Sequence, residues 1–359
     1  MDDRSSPDSQ APTIAAARTA LPPHHVDQET LIAAFRALWG SGPASRHIER
    51  LHRAVGVDGR YLALPMADYY RLDGFAAANE AWIRVATDLG AAAARAALDA
   101  AGLTPRDVDH VFFVTVTGIA TPSIDARLVN RMGLRDDVKR TPIFGLGCVA
   151  GAAGLSRASD YLRGFPDATA LLVSVELCSL TLQRKDLSVA NLIASGLFGD
   201  GAAAVVLRGG RCGARGPRVV ATRSVFYPDT EDVMGWDMVD SGFKVVLSAR
   251  VPEVIGEHIG HDVDRFLADE GLERARLRHI VAHTGGPKVL EAIEASLSLP
   301  TGALERSWHS LRTVGNLSSA SVLFVLADLL DARVARAGEY GLYAAMGPGF
   351  CAELGLLGW

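Results

Sequence analysis

Cys148 sits in Gly145-Leu146-Gly147-Cys148-Val149-Ala150-Gly151-Ala152-Ala153-Gly154, where an apolar run breaks through glycines into a segment of helical composition. A lone cysteine in apolar sequence ordinarily packs in a core. A strand-to-helix turn is a different setting, because free backbone N–H groups and the positive end of a helix dipole both favour thiolate over thiol. Two further side chains stand at similar turns. His283 ends the apolar segment 277–282 and opens Thr284-Gly285-Gly286-Pro287-Lys288. Asn316 lies in Val314-Gly315-Asn316-Leu317-Ser318-Ser319-Ala320-Ser321, read as another strand-to-helix junction. Cysteine, histidine and asparagine together suit acyl transfer with carbon–carbon bond formation. The thiolate takes an acyl group from a thioester while the imidazole stabilises it as an ion pair. Decarboxylation of a malonyl thioester then leaves an enolate, and two donors, His283 Nε2–H and the Asn316 amide, would receive its oxygen. An aspartate or glutamate at position 316 would repel that oxygen.

The elements that must carry these turns alternate between apolar β-rich and alanine-rich segments. Strands are expected near residues 109–117, 168–175, 201–207, 219–225, 242–248, 279–283 and 341–346. Helices are expected over 77–101, 122–132, 149–163, 191–197, 252–270, 287–297 and 319–337. This is an α/β pattern. The polar, glycine-rich stretch 209–217 reads as a linker.

With these motifs in place, the chain resembles the bacterial type III polyketide synthases, chalcone and stilbene synthase-like enzymes of the thiolase superfamily. The resemblance covers nearly all of residues 12–359. It rests on Gly147-Cys148 with its small-residue helix, Leu197-Phe198-Gly199-Asp200-Gly201-Ala202-Ala203-Ala204, His283-Thr284-Gly285-Gly286-Pro287, Gly315-Asn316-Leu317-Ser318-Ser319-Ala320-Ser321 and Gly347-Pro348-Gly349-Phe350, in that order. It implies a thiolase-like fold of two similar α/β halves in five αβαβα layers. Residues 1–11 would be a disordered leader, 12–210 the half carrying the nucleophile and 218–359 the half carrying His283 and Asn316. It implies Cys148, His283 and Asn316 as the catalytic triad, and Phe198 as gatekeeper between a coenzyme A tunnel and the cavity. Arg53, Arg60 and Lys288 stand where cations would meet coenzyme A phosphates, and Gly285 and Gly286 permit close approach of the pantetheine arm.

Departures from the plant pattern carry the substrate expectation. Val245 stands at a second gatekeeper phenylalanine, Trp236 at a small residue, and Val116 and Cys178 at threonines of the cavity, while Thr181 and Ser318 retain hydroxyls. Thr121 stands where plant relatives place a methionine that reaches into the partner of a homodimer. These apolar changes point to a medium- or long-chain fatty acyl-CoA starter extended with malonyl-CoA, giving an alkylpyrone or alkylresorcinol. A malonyl or aromatic starter is the alternative within the family. A β-ketoacyl-carrier-protein synthase uses the same three residue types. A degradative thiolase needs a second cysteine, for which Cys351 is the late candidate. A non-catalytic scaffold would not need the triad.

Composition bounds the rest. A net charge of −5 over 359 residues, without a basic block, argues against a nucleic-acid partner. Four cysteines without metal-ligand spacing suggest neither a disulfide framework nor a metal site, and the reduced cytoplasm is the expected compartment. No apolar stretch suits integral membrane association. No cofactor is expected beyond the coenzyme A thioesters themselves.

Overall fold

The structure, a computed structural model, describes residues 11–40 and 45–359. Thirteen strands follow in chain order among the described residues: β1 (Thr13–Ala20), β2 (His24–Asp27), β3 (Gly59–Leu62), β4 (His110–Thr115), β5 (Lys139–Phe144), β6 (Thr169–Leu177), β7 (Asp200–Arg208), β8 (Arg218–Phe226), β9 (Met234–Val239), β10 (Gly242–Leu247), β11 (Leu277–Ala282), β12 (Tyr340–Gly347) and β13 (Cys351–Gly358). Nine form one sheet in the order β11-β12-β13-β8-β1-β7-β6-β4-β5. Two small two-stranded antiparallel sheets stand outside it, β2–β3, whose strands are separated by helices Gln28–Trp39 and Ser45–Ala54, and the hairpin β9–β10.

The order conceals a repeat. In the first half β4 runs parallel to β6, β6 antiparallel to β7 and β7 antiparallel to β1. In the second half β11 runs parallel to β12, β12 antiparallel to β13 and β13 antiparallel to β8. The halves join edge to edge at a single pairing, Thr13 with Arg218. Helices Ala150–Gly164 and Ser321–Ala332 pack against strands of both halves, so they form a shared middle layer. Helix Gly74–Ala100 covers the outer face of the first half and Val251–Asp269 that of the second.

Strands covered on both faces should read as continuous apolar runs, and these do. Along β4, Phe112 and Val114 enter the middle core while Val111 and Phe113 enter the outer core of the first half. On β12, Tyr343 and Ala345 face the middle layer and Leu342 and Ala344 the outer core of the second half. A single slip of register would exchange the two sets.

Several expectations need correction. The segment near 242–248 is a strand, yet it pairs only with β9 in a hairpin. The helix expected to 337 ends at Ala332, where Arg333 turns left-handed at φ 50°. β1 and β13 went unread because alanine and glycine weaken a strand pattern, and pairing on both sides overrides that preference. β5 carries Pro142, which suits its edge position. Of the leader expected over 1–11, residues 1–10 lie outside the described residues, and Ala11 is buried.

Candidate active site

Cys148 follows β5 in a tight turn, Gly147–Val149, that leads directly into helix Ala150–Gly164. Gly147 has φ +55°, and a Cβ there would lie 2.7 Å from the Pro348 ring. Only glycine meets both demands. Gly151, one turn on, has the carbonyl oxygen of Ser319 2.1 Å from where a Cβ would be. The two middle-layer helices therefore cross at a bare backbone, which brings the start of one onto the Ser318–Ala320 turn of the other. Cys148 Sγ lies 3.7 Å from Ser318 Oγ as a result.

Asn316 stands in a helix-to-helix connection, a correction to the strand expected before it: helix Glu305–Val314 stops at Gly315, and Asn316 then bridges to Phe198 in β fashion. The Asn316 N–H donates to Leu197 O and its carbonyl accepts from the Gly199 N–H. Its side-chain Oδ1 accepts from the Ser318 N–H at 2.8 Å and from Ser321 Oγ at 3.3 Å. A backbone N–H can only donate, so the oxygen faces Ser318 and the Nδ2 hydrogens point away. They are left for another acceptor.

His283 follows β11, its backbone N–H donating to Ala344 O on β12. Three residues further along β12, Gly347 packs on the Cys148 turn, a Cβ there falling 2.6 Å from Val149 N. The same end of the sheet thus carries the imidazole and the thiol. His283 is 4 % exposed, and its Nδ1 has no hydrogen-bond partner among the described residues.

Burial, more than any neighbouring charge, sets the protonation of this pair. Cys148 is 6 % exposed, and desolvation pushes its thiol up to about 12, against the Ser318 hydrogen bond that favours thiolate and with the Glu176 carboxylate that opposes it. Desolvation likewise lowers His283 to about 4. The resting pair is neutral thiol and neutral imidazole, which corrects the thiolate expected from the helix start: taking the charge out of water costs more than a short turn's dipole returns.

A largely apolar pocket opens beside this centre. Phe198, Cys178, Thr181, Trp236 and Val245 line it. Two expected wall residues do not. Val116 is buried with its N–H on Glu176, and Ser318 belongs to the Cys148 contact. The Thr181 hydroxyl donates to Cys178 O, which fixes its own turn.

Arg60 needs a larger correction. It is 1 % exposed, and its guanidinium donates to the carbonyls of Ser195 and Phe198 at 2.9 and 2.8 Å, and also to Gln28 Oε1 and Gly196 O. A phosphate cannot reach it. It braces the Phe198 turn instead. Arg53 is exposed and paired with Glu29 and Glu49, each at 3.1 Å, and Lys288 is exposed at the start of helix Pro287–Leu297. Gly56 lies against Pro287, a Cβ there falling 3.3 Å from Pro287 Cγ, so the loop after Arg53 and the helix bearing Lys288 share one rim. Gly286, with φ +130°, precedes that helix.

Two buried carboxylates went unread. Glu176 accepts from Thr115 and Thr117 hydroxyls, the Val116 N–H and Ser319 Oγ, and burial raises it to about 7. Asp200 accepts from the N–H groups of Ala63 at 2.6 Å and Ser179 at 2.8 Å and from the Ser179 hydroxyl. Burial raises it to about 6. The signal was available: a carboxylate inside an apolar strand run, as in Val173-Ser174-Val175-Glu176-Leu177, has to have partners.

Known proteins can be compared against this geometry. Residues 3–211 match the family model described as chalcone and stilbene synthases, N-terminal domain, and residues 218–358 match the corresponding C-terminal domain. A 1,3,6,8-tetrahydroxynaphthalene synthase of Streptomyces peucetius subsp. caesius is 52 % identical, with 100 % of this chain and 96 % of that protein covered. A phloroglucinol synthase of Pseudomonas fluorescens is 33 % identical over 97 % of this chain and 99 % of its own. The crystal structure of 1,3,6,8-tetrahydroxynaphthalene synthase from Streptomyces coelicolor, a bacterial type III polyketide synthase, superposes with a TM-score of 0.92 at 34 % identity, covering 97 % of this chain and 99 % of that one. Sequence match along both halves and agreement of fold lead to one conclusion: the chain belongs to the chalcone and stilbene synthase family and is a type III polyketide synthase, an acyltransferase that works by decarboxylative condensation.

Proposed function

We propose that this enzyme builds a polyhydroxylated aromatic from malonyl-CoA alone, with Cys148 carrying the growing chain. His283 takes the Cys148 proton as the sulfur attacks the thioester carbonyl, and coenzyme A leaves with a proton. A second malonyl-CoA loses carbon dioxide, and its electron pair stays on the α-carbon as an enolate. The Asn316 Nδ2 hydrogens and a His283 ring N–H receive the enolate oxygen, and the carbanion attacks the Cys148 thioester, expelling the Cys148 thiolate and leaving the extended chain on coenzyme A, from which Cys148 takes it back for the next round. Anchoring of Asn316 Oδ1 on the Ser318 N–H is the observation that carries this assignment, because it orients the free donor without reorganisation during the reaction. Decarboxylation supplies the carbanion, so the chemistry needs no metal or redox cofactor. Arg53 and Lys288 would hold the coenzyme A phosphates at the shared rim.

The malonyl starter rests on the 52 % identical tetrahydroxynaphthalene synthase and on Trp236, which takes up room in the cavity wall. A naphthalene skeleton is ten carbons, or five two-carbon units. The alkyl-starter reading keeps one observation in its favour. Leu31, Ala34, Phe35 and Leu38 line one side of the pocket without a polar group, and each buried methylene would add up to about 0.8 kcal/mol. Purified enzyme supplied with malonyl-CoA alone should form an aromatic polyol detectable by mass spectrometry. Product that appears only after octanoyl- to palmitoyl-CoA is added would establish the alkyl reading and end the malonyl one. The family also suggests a homodimer, with exposed Thr121 and Ile119 on a loop that a partner could cover. Sedimentation of a fully active monomer would refute that.

A further inference from the structure

The cavity wall is largely apolar, and among its polar side chains Tyr69 and Ser179 form a bonded pair that the condensation steps do not use. Tyr69 and Ser179 both line the pocket that holds Phe198 and Trp236. Their hydroxyl oxygens are 2.5 Å apart, and the Ser179 hydroxyl donates in turn to Asp200 Oδ2, which lies behind the wall. The Leu64 N–H donates to Tyr69 Oη at 3.2 Å. Asp200 already ties two loops together through the Ala63 and Ser179 N–H groups, so the hydroxyl chain is not needed for that task.

The directions of these bonds follow from proton count. An ionised Asp200 only accepts, so Ser179 donates to it, and Tyr69 must then donate to Ser179. In this state Tyr69 Oη turns a lone pair, not a proton, toward the cavity. Once Asp200 is protonated the chain reverses: Asp200 donates to Ser179, Ser179 to Tyr69, and the phenol proton becomes free to enter the cavity. Reversal moves one proton between the cavity and a buried carboxylate with no side-chain rearrangement.

We propose that Tyr69, Ser179 and Asp200 form a proton relay that deprotonates the poly-β-ketone during ring closure and returns the proton afterwards. This rests on the polyketide reading above and adds the residues that govern cyclisation. A C–H bond of a methylene flanked by two carbonyls breaks and its proton goes to Tyr69 Oη. The tyrosine proton passes to Ser179 Oγ and the serine proton to Asp200 Oδ2. The electron pair stays on the substrate as an enolate that attacks a ketone carbon, and the resulting alkoxide recovers the proton by the reverse path. Tyr69 is the group that meets substrate, and Ser179 and Asp200 act through it. The charged and titratable groups facing Asp200 are the Arg60 guanidinium, which favours its ionised form, the Tyr69 phenol and the Cys178 thiol. Burial places its titration at about 6, within reach of a working enzyme.

The test is the ratio of aromatic to lactone product from malonyl-CoA, because aromatic closure needs a carbanion generated in place at Tyr69, whereas a lactone closes through an enol oxygen that a 1,3-dicarbonyl already presents in water without a protein base. Tyr69→Phe and Ser179→Ala should each lower the ratio by roughly 10²-fold, and Ser179→Thr, which keeps the hydroxyl, should restore it. Cys148 acylation is followed in parallel by intact mass. In the unmodified enzyme the ratio should rise with pH through about 6, as Asp200 becomes able to accept, and in Ser179→Ala that rise should vanish. An unchanged ratio and pH profile in both Tyr69→Phe and Ser179→Ala would overturn the relay while leaving the polyketide reading intact. Absence of any polyketide from the unmodified enzyme with malonyl-CoA would overturn both.

Discussion

Trp236 and Val245 are direct partners across the β9–β10 hairpin, so both side chains leave it on one face, and that face closes the cavity beside Phe198 and Cys178. The two positions act as one wall. Trp236→Gly should therefore admit longer starters, with kcat/KM rising up to about fourfold per added methylene until the new space is filled. Val245→Phe should do the reverse. An acyl-CoA panel read by mass spectrometry checks both, and identical profiles in all three proteins would show that this wall does not meet substrate.

The neutral Cys148–His283 pair has a kinetic signature. With the thiol pushed up to about 12 by burial, the thiolate fraction in the resting enzyme is small at neutral pH. Alkylation of Cys148 by iodoacetamide should be slow there and climb about tenfold per pH unit into the alkaline range. A plateau near neutrality would instead reveal a resting ion pair.

Asn316→Ala removes an oriented donor without touching the thiol. Loading of Cys148 should survive, while malonyl-CoA decarboxylation should fall by roughly 10²-fold or more. Measuring acyl-enzyme mass and carbon dioxide release separately distinguishes this from a structural role, in which both would fall together.

Arg60 and the rim cations should part company. Arg60→Met removes the donors to four oxygen acceptors and leaves Asp200 without its nearest cation, a loss on the order of 3–5 kcal/mol in stability. Arg53→Ala and Lys288→Ala should leave the melting temperature nearly unchanged and raise KM for malonyl-CoA by about threefold to tenfold each. A stable Arg60→Met with only a raised KM would reverse the assignment.

Glu176 links stability to pH. Burial raises its folded value from 4.5 to about 7, so its stabilising share is fully present below 4.5 and is lost as pH climbs toward 7. The span is on the order of 3 kcal/mol. Denaturant midpoints at pH 5 and pH 8 should differ less in Glu176→Gln than in the unmodified protein, and an equal difference would mean that Glu176 is ionised throughout.

The chemistry was legible from the sequence because it depends on local features. Cys148 at a glycine turn after an apolar run, His283 at a strand end before two glycines and Asn316 among small residues are each set by a few neighbouring residues. The apolar runs of β4, β6 and β7 likewise declare a sheet covered on both faces. What tertiary structure alone decided are quantities summed over distant segments. Arg60 looked like any cation beside a loop, and only the convergence of Gln28, Ser195, Gly196 and Phe198 upon it makes it a buried brace. The protonation of Cys148 and His283 follows from how completely both halves exclude water, which no local motif records. The matching strand orders of the two halves were invisible for the same reason: a repeat of pairing and burial survives when no residue is repeated, because the sheet needs only apolar side chains of suitable size on each face.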